Sequence, residues 1–155
     1  MMDYSSLMWM VILSIIVSYI ILSNVMLTFK NGVYNTLVKL YMSLLMGSTM
    51  AVIMIVIMIV EMRMVHHLDI FILVISIVIS IILIYLIRDQ TYIKQKEYSK
   101  AMIEHHDMAL LMSKAILRKP NQSKAVYELA NSIIASQQYE INLMRSWLDD
   151  GFPTS

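Results

Sequence analysis

Two adjacent imidazoles, two carboxylates and three thioethers fall within the twelve residues Ala101-Met-Ile-Glu-His-His-Asp-Met-Ala-Leu-Leu-Met112. As a helix this stretch makes about three turns. The chain has no cysteine, and imidazole plus thioether without thiolate is a donor set that suits Cu(I) or Ag(I). Neighbouring residues on a helix project about 100° apart, so His105 and His106 cannot both face one point in a tight core. His106 shares an apolar stripe with Met102 and Ala109, whereas His105 shares a flank with Met108 and Met112. Met102 and the two imidazoles can rim one pocket that Met112 extends, with Glu104 and Asp107 as its carboxylates. A structural alternative uses the same residues: a buried His106 hydrogen-bonded to Gln137 or Glu140 on a following helix.

A second grouping lies earlier. Met42, Met46, Met50, Met54, Met58 and Met62 recur every fourth residue, with Met64 beyond. Four residues turn about 400°, so the row drifts by about 40° per step. It can be a thioether ladder for a soft ion, whose mouth would be a possible second metal site of Met62, Met64, His66 and His67. It can equally be flexible apolar filler facing lipid or neighbouring helices.

Other chemistries are poorly served. No Glu has a His three residues later, as a ferritin-type di-iron site requires. There is no His-Glu-x-x-His, no glycine-rich phosphate loop and no nucleophile elbow. Thiol catalysis, disulfides and thiolate sites are excluded by the missing cysteine. A net charge of +1 suggests no nucleic-acid partner. The expectation is a binding protein, not an enzyme.

The elements that position these residues are helical. Of the 155 residues, 59% are hydrophobic and 15% charged, against about one quarter charged in a soluble domain. The deficit sits in the first 87 residues, which indicates a membrane domain over 1–90 with spans at about 7–29, 40–60 and 70–87. Each is long enough for roughly 30 Å of hydrocarbon. Asn31-Gly32 turns the first connection, and Glu61, Arg63 and Asp69 read as interfacial anchors. No glycine or proline lies between Gly47 and Pro120, so the third span is expected to continue into the next helix as far as Leu117.

An antiparallel hairpin domain follows over 91–150, with a tail at 151–155. Its first helix places Met102, His106, Ala109, Leu110, Ser113, Ile116 and Leu117 on one stripe. Pro120 stops it, and Asn121 or Ser123 caps the second helix. That second helix is expected to bury Val126, Leu129, Ala130, Ile133, Ile134, Gln137, Ile141, Met144 and Leu148. Two helices are too few for a full core, so a second copy in a homodimer or larger homo-oligomer is expected. Lys30, Lys39, Arg88, Lys94, Lys96 and Lys100 flank the spans on one side and only Arg63 on the other. That asymmetry places the N-terminus outside and the hairpin in the cytoplasm.

Met102-Ile-Glu-His-His-Asp-Met-Ala109, followed by Leu129-Ala-Asn-Ser-Ile-Ile-Ala-Ser-Gln-Gln-Tyr-Glu-Ile-Asn-Leu-Met-Arg-Ser-Trp-Leu148, resembles the domain-of-unknown-function family numbered 305. Leu40-Tyr-Met-Ser-Leu-Leu-Met-Gly-Ser-Thr-Met50 and Arg88-Asp-Gln90 resemble the subgroup with helical spans before the domain. The resemblance implies a ferritin-like hairpin, often in two copies, with copper binding in some secreted members. It adds Gln137, Glu140 and Met144 of the second helix to the candidate ligands. Glu104 stands where the family usually has proline, and Gln95 where it often has an acid. The resulting expectation is an all-α, membrane-anchored Cu(I)-binding protein for metal tolerance or hand-off. The alternative is a structural protein of a bacterial or viral membrane whose hairpin is an assembly module.

Overall fold

The computed structural model describes residues 4–28, 33–62 and 66–153. Among the described residues the regular structure is entirely helical: α1 (Tyr4–Val17) with a π-helical turn at Ser18–Leu22, α2 (Leu37–Met62), α3 (His67–Arg88), α4 (Gln95–Leu117) and α5 (Lys124–Asp150). Tyr4–Leu22, Leu37–Glu61 and His67–Arg88 are long and apolar enough to cross a membrane. The chain divides into two compact units, Met1–Ser23 with Leu37–Tyr92, and Asn24–Thr36 with Ile93–Ser155.

In the first unit Leu7, Ile55 and Met58 form a buried cluster flanked by Met54, Ile59, Ile72 and Leu73. The face of α2 turned inward carries Ser43, Gly47, Ala51 and Ile55, all buried. Small residues at four-residue spacing let helices approach closely, the usual basis of helix association in lipid. At Gly47 the approach is tight, because an added Cβ would lie 2.3 Å from Ile15 Cγ1 and 2.7 Å from its Cδ1. Gly47→Val is therefore expected to destabilise this unit by about 1–3 kcal/mol, the usual cost of overpacking. Reversible unfolding in bicelles would measure it, and an unchanged midpoint would contradict the α1–α2 crossing.

The methionine row runs one position before the small-residue row and does not hold one face. Met42 and Met46 are exposed, Met50 and Met54 half-buried, and Met58 buried. This progression is what a drift of about 40° per step produces. The side chain of Met62 and the whole of Met64 lie outside the described residues.

The first span differs from the 7–29 expected, since its helix begins at Tyr4 and ends at Leu22. The Ser23 hydroxyl and N–H both donate to Ser18 O, at 2.7 and 3.0 Å. Serines that bond local carbonyls offer the backbone an alternative to continued α-helix. Phe29 lies outside the described residues.

The continuous helix expected from the third span to Leu117 is also corrected. α3 stops at Arg88 and α4 starts at Gln95. Thr91 N–H donates to Leu86 O (3.1 Å) and Gln90 N–H to Ile87 O (3.4 Å), the paired bonds of a Schellman ending. The left-handed position is held by Gln90, φ 51°. A glycine normally stands there, which is why the stop leaves no sequence signal. The Gln90 side chain compensates by donating to Ile87 O (2.6 Å), and Tyr92 adds a second positive φ of 64°. Gln90→Gly is expected to stabilise this turn by up to about 1 kcal/mol through relief of left-handed strain. Hydrogen exchange at Thr91 would read it as slower opening.

The second unit is the hairpin of α4 and α5 together with residues 24–28 and 33–36. Ser123 caps α5, its Oγ accepting Val126 N–H at 3.3 Å. Gly151, φ 102°, ends α5 and donates its N–H to Trp147 O. The core contains Ile103, Leu110, Ile141 and Met144, with Tyr34, Met102, Ile134, Trp147 and Leu148 packed against it. Val126 and Leu129, expected inside, are exposed. They sit near the start of α5, where this unit supplies no third layer.

Candidate functional site

α4 carries acidic Glu97 in its first turn and basic Lys114 in its last, matching the helix dipole at both ends. Its buried positions are Ser99, Ile103, Glu104, His106, Asp107, Leu110 and Ser113. The expected apolar stripe shares only His106, Leu110 and Ser113 with this set. The inward face is wider and more polar because it meets two partners, α5 and the segment 24–36.

Asp107, with no solvent exposure, is fixed by Thr28. Its Oδ2 accepts the Thr28 N–H and its Oδ1 the Thr28 hydroxyl, each at 2.6 Å. One turn away Glu104, also buried, accepts the Tyr34 N–H on Oε1 at 2.7 Å. The two carboxylates thus strap Thr28 and Tyr34 to the hairpin. Charge-assisted bonds of this kind are roughly twice as strong as neutral ones, and they satisfy backbone groups that the core would otherwise orphan.

His106 is buried between α4 and α5. Its Nδ1 lies 2.7 Å from Met102 O, one turn back, and its Nε2 lies 2.5 Å from Glu140 Oε2. A carbonyl oxygen can only accept, so Nδ1 carries a proton, and Nε2 faces the carboxylate. Both ring nitrogens are engaged within the hairpin, as in the structural alternative raised above. His106 could ligate an ion only by giving up one of these bonds.

The remaining candidates separate into two environments. Met144 is buried and Met102 half-buried in the core cluster, and Gln137 is half-buried on α5. His105 is exposed, Met108 half-buried and Met112 60% exposed. His105 is exposed and His106 buried, so the two imidazoles do not rim the single pocket with Met102 that the sequence suggested. Neighbouring residues on a helix project about 100° apart, and the α4–α5 contact encloses only one of them. Among the described residues no group of three or more His, Asp or Glu converges on one point.

At the start of α3, Asp69, expected as an interfacial anchor, is buried within the protein. Its Oδ2 accepts the His66 N–H at 2.8 Å and lies 3.4 Å from His66 Nδ1. Its Oδ1 accepts the Tyr4 hydroxyl at 2.7 Å. His66 is thereby part of a helix cap, and His67 is exposed. Asp69 occupies the position of the acidic partner in a capping box, but His66 is not one of the usual N-cap residues, so this cap carried little signal in the sequence. Thr28 and Tyr34 had none, because their carboxylate partners lie 79 and 70 residues away.

The fold and this polar face define a helical-hairpin domain attached to long apolar helices. Residues 95–152, which hold α4 and α5, match the family model described as Domain of unknown function (DUF305). An uncharacterized protein of Acanthamoeba polyphaga mimivirus is 46% identical over 69 residues, 44% of this chain and 45% of that protein. The chain thus spans less than half the length of this curated relative. No solved structure matches the chain.

Proposed function

We propose that this protein is a membrane-anchored binder of a soft monovalent metal ion, Cu(I) by its donor chemistry, which holds or hands off the ion without turnover. The observation that carries this reading is the division of labour between the two histidines. His106 is tied to Met102 O and Glu140, whereas exposed His105 is followed at three and seven residues by Met108 and Met112. These positions fall within about 60° of one another around the helix. One imidazole and two thioethers suit Cu(I). Met102, Met144 and Gln137 belong to the hairpin interior, and Glu104, Asp107 and Glu140 hold it together. Competition between the full chain and a chromogenic Cu(I) chelator tests the reading, which fails if His105→Ala competes as well as the parent.

The spans support residence in a bilayer, and the basic residues around them support an outside N-terminus and a cytoplasmic hairpin. Protease accessibility of the C-terminus in intact cells tests that orientation. The second reading is an assembly module that forms a homodimer or larger homo-oligomer. It is favoured by the fully engaged His106 and by the apolar side chains left exposed on α5. An ion that binds the folded chain at 100 times its Kd raises stability by about 2.7 kcal/mol. A pure scaffold would show no change in melting with Cu(I), Ag(I) or chelator.

A further inference from the structure

The turn joining α4 to α5 combines positive charge with exposed apolar surface. Between Met112 and Leu129 the basic residues are Lys114, Arg118, Lys119 and Lys124, and the only acid is Glu128. The rest of the hairpin has the opposite balance, with Lys94, Lys96, Lys100 and Arg145 against Glu97, Glu104, Asp107, Glu140, Asp149 and Asp150. At the same tip Met112, Tyr127 and Leu129 are 60%, 56% and 61% exposed, and Val126 is exposed beside them. A groove of about 440 Å³ runs between the helices there, lined by Met112, Ile116, Val126, Leu129 and Ile133, with Lys119 on its wall. Lys124 and Glu128 form an exposed pair at 3.7 Å, a contact that contributes little in water.

We propose that this tip docks on an anionic lipid surface, its apolar side chains entering the headgroup boundary and its basic residues pairing with lipid phosphate. Amphipathic helical surfaces with Lys and Arg beside Leu, Val, Tyr and Met bind bilayers in this way, through buried apolar area plus attraction to anionic lipid. The occupant is at hand because Asp89–Lys94 is the whole link between the end of α3 and the start of α4. That link and the length of α4, about 35 Å for 23 residues, keep the tip within reach of a bilayer holding α3, which is thereby present at high effective concentration. Like charge disfavours the same tip of a second copy. The inference rests on the spans residing in a bilayer; it shares Met112 with the proposed metal site, whereas Val126, Tyr127, Leu129 and the basic residues of the tip are separate from that site.

Because the chain has no cysteine, Gln122→Cys introduces a single attachment point at the tip for an environment-sensitive fluorophore. The full chain is placed in nanodiscs of phosphatidylcholine alone or mixed with phosphatidylglycerol, at one copy or two copies per disc. The expected result is a blue-shifted emission, shielded from an aqueous quencher, in the anionic discs at one copy. High salt should abolish it. Lys119→Ala with Lys124→Ala should lower the docked-to-free ratio about 25-fold, or about fivefold per charge. These side chains are exposed, and an unchanged helical circular dichroism spectrum would exclude unfolding as the cause. Identical emission in neutral and anionic discs overturns the proposal. A shift confined to discs with two copies also overturns it and assigns the groove to a second chain.

Discussion

Asp107→Ala is expected to destabilise the hairpin unit by about 2–4 kcal/mol. The carboxylate is fully enclosed, and both oxygens accept bonds of 2.6 Å from Thr28. Its removal leaves the Thr28 N–H and hydroxyl without that acceptor, and each donor so orphaned costs about 1–3 kcal/mol. Thr28 is only half-buried, so water offsets part of the loss and the lower half of the summed range applies. Asp107→Asn retains one acceptor and is expected to lose about half as much. Thr28→Val removes the hydroxyl alone, and a double-mutant cycle between positions 28 and 107 isolates their coupling. Denaturant unfolding of the full chain in micelles, with hydrogen exchange over 24–28, would measure both. A coupling of zero would mean that Asp107 does not hold the strap.

The second large effect concerns the ion. His105→Ala is expected to weaken Cu(I) binding by about 100-fold or more, because altering even an outer partner of a metal ligand typically costs 10–100-fold. Met108→Leu with Met112→Leu keeps the volume of the side chains and removes both sulfurs, and should act in the same direction. His106→Ala is expected to behave differently. It strips Glu140 of a partner and opens the interior between α4 and α5, so it should lower the melting temperature while leaving Cu(I) affinity within a few-fold. Chelator competition alongside thermal melting separates these outcomes. Equal losses of affinity at both histidines would show that His106 is a ligand after all, and no loss at His105 would end the metal reading.

Much of the architecture was legible because it depends on composition and local chemistry. Uncharged apolar runs marked three helices long and apolar enough to cross a membrane. Pro120, Ser123 and Gly151 marked the hairpin's turn and ends through conformational preferences that act over a few residues. What stayed hidden was non-local or lacked its usual residue. The α3–α4 break uses Gln90 where glycine would have announced it.

Residue types and their spacing along the chain therefore determined an all-helical protein, three apolar spans, a hairpin and the flank on which His105, Met108 and Met112 align. Tertiary structure alone decided that Glu104 and Asp107 face inward onto 24–36 and that His106 pairs with Glu140. It also turned Asp69 from an anchor into a buried cap. The physical reason is common to all four. A buried polar group is tolerated only where a hydrogen-bonding partner meets it, and Glu104, Asp107, His106 and Asp69 each find one on another segment, brought there by the fold.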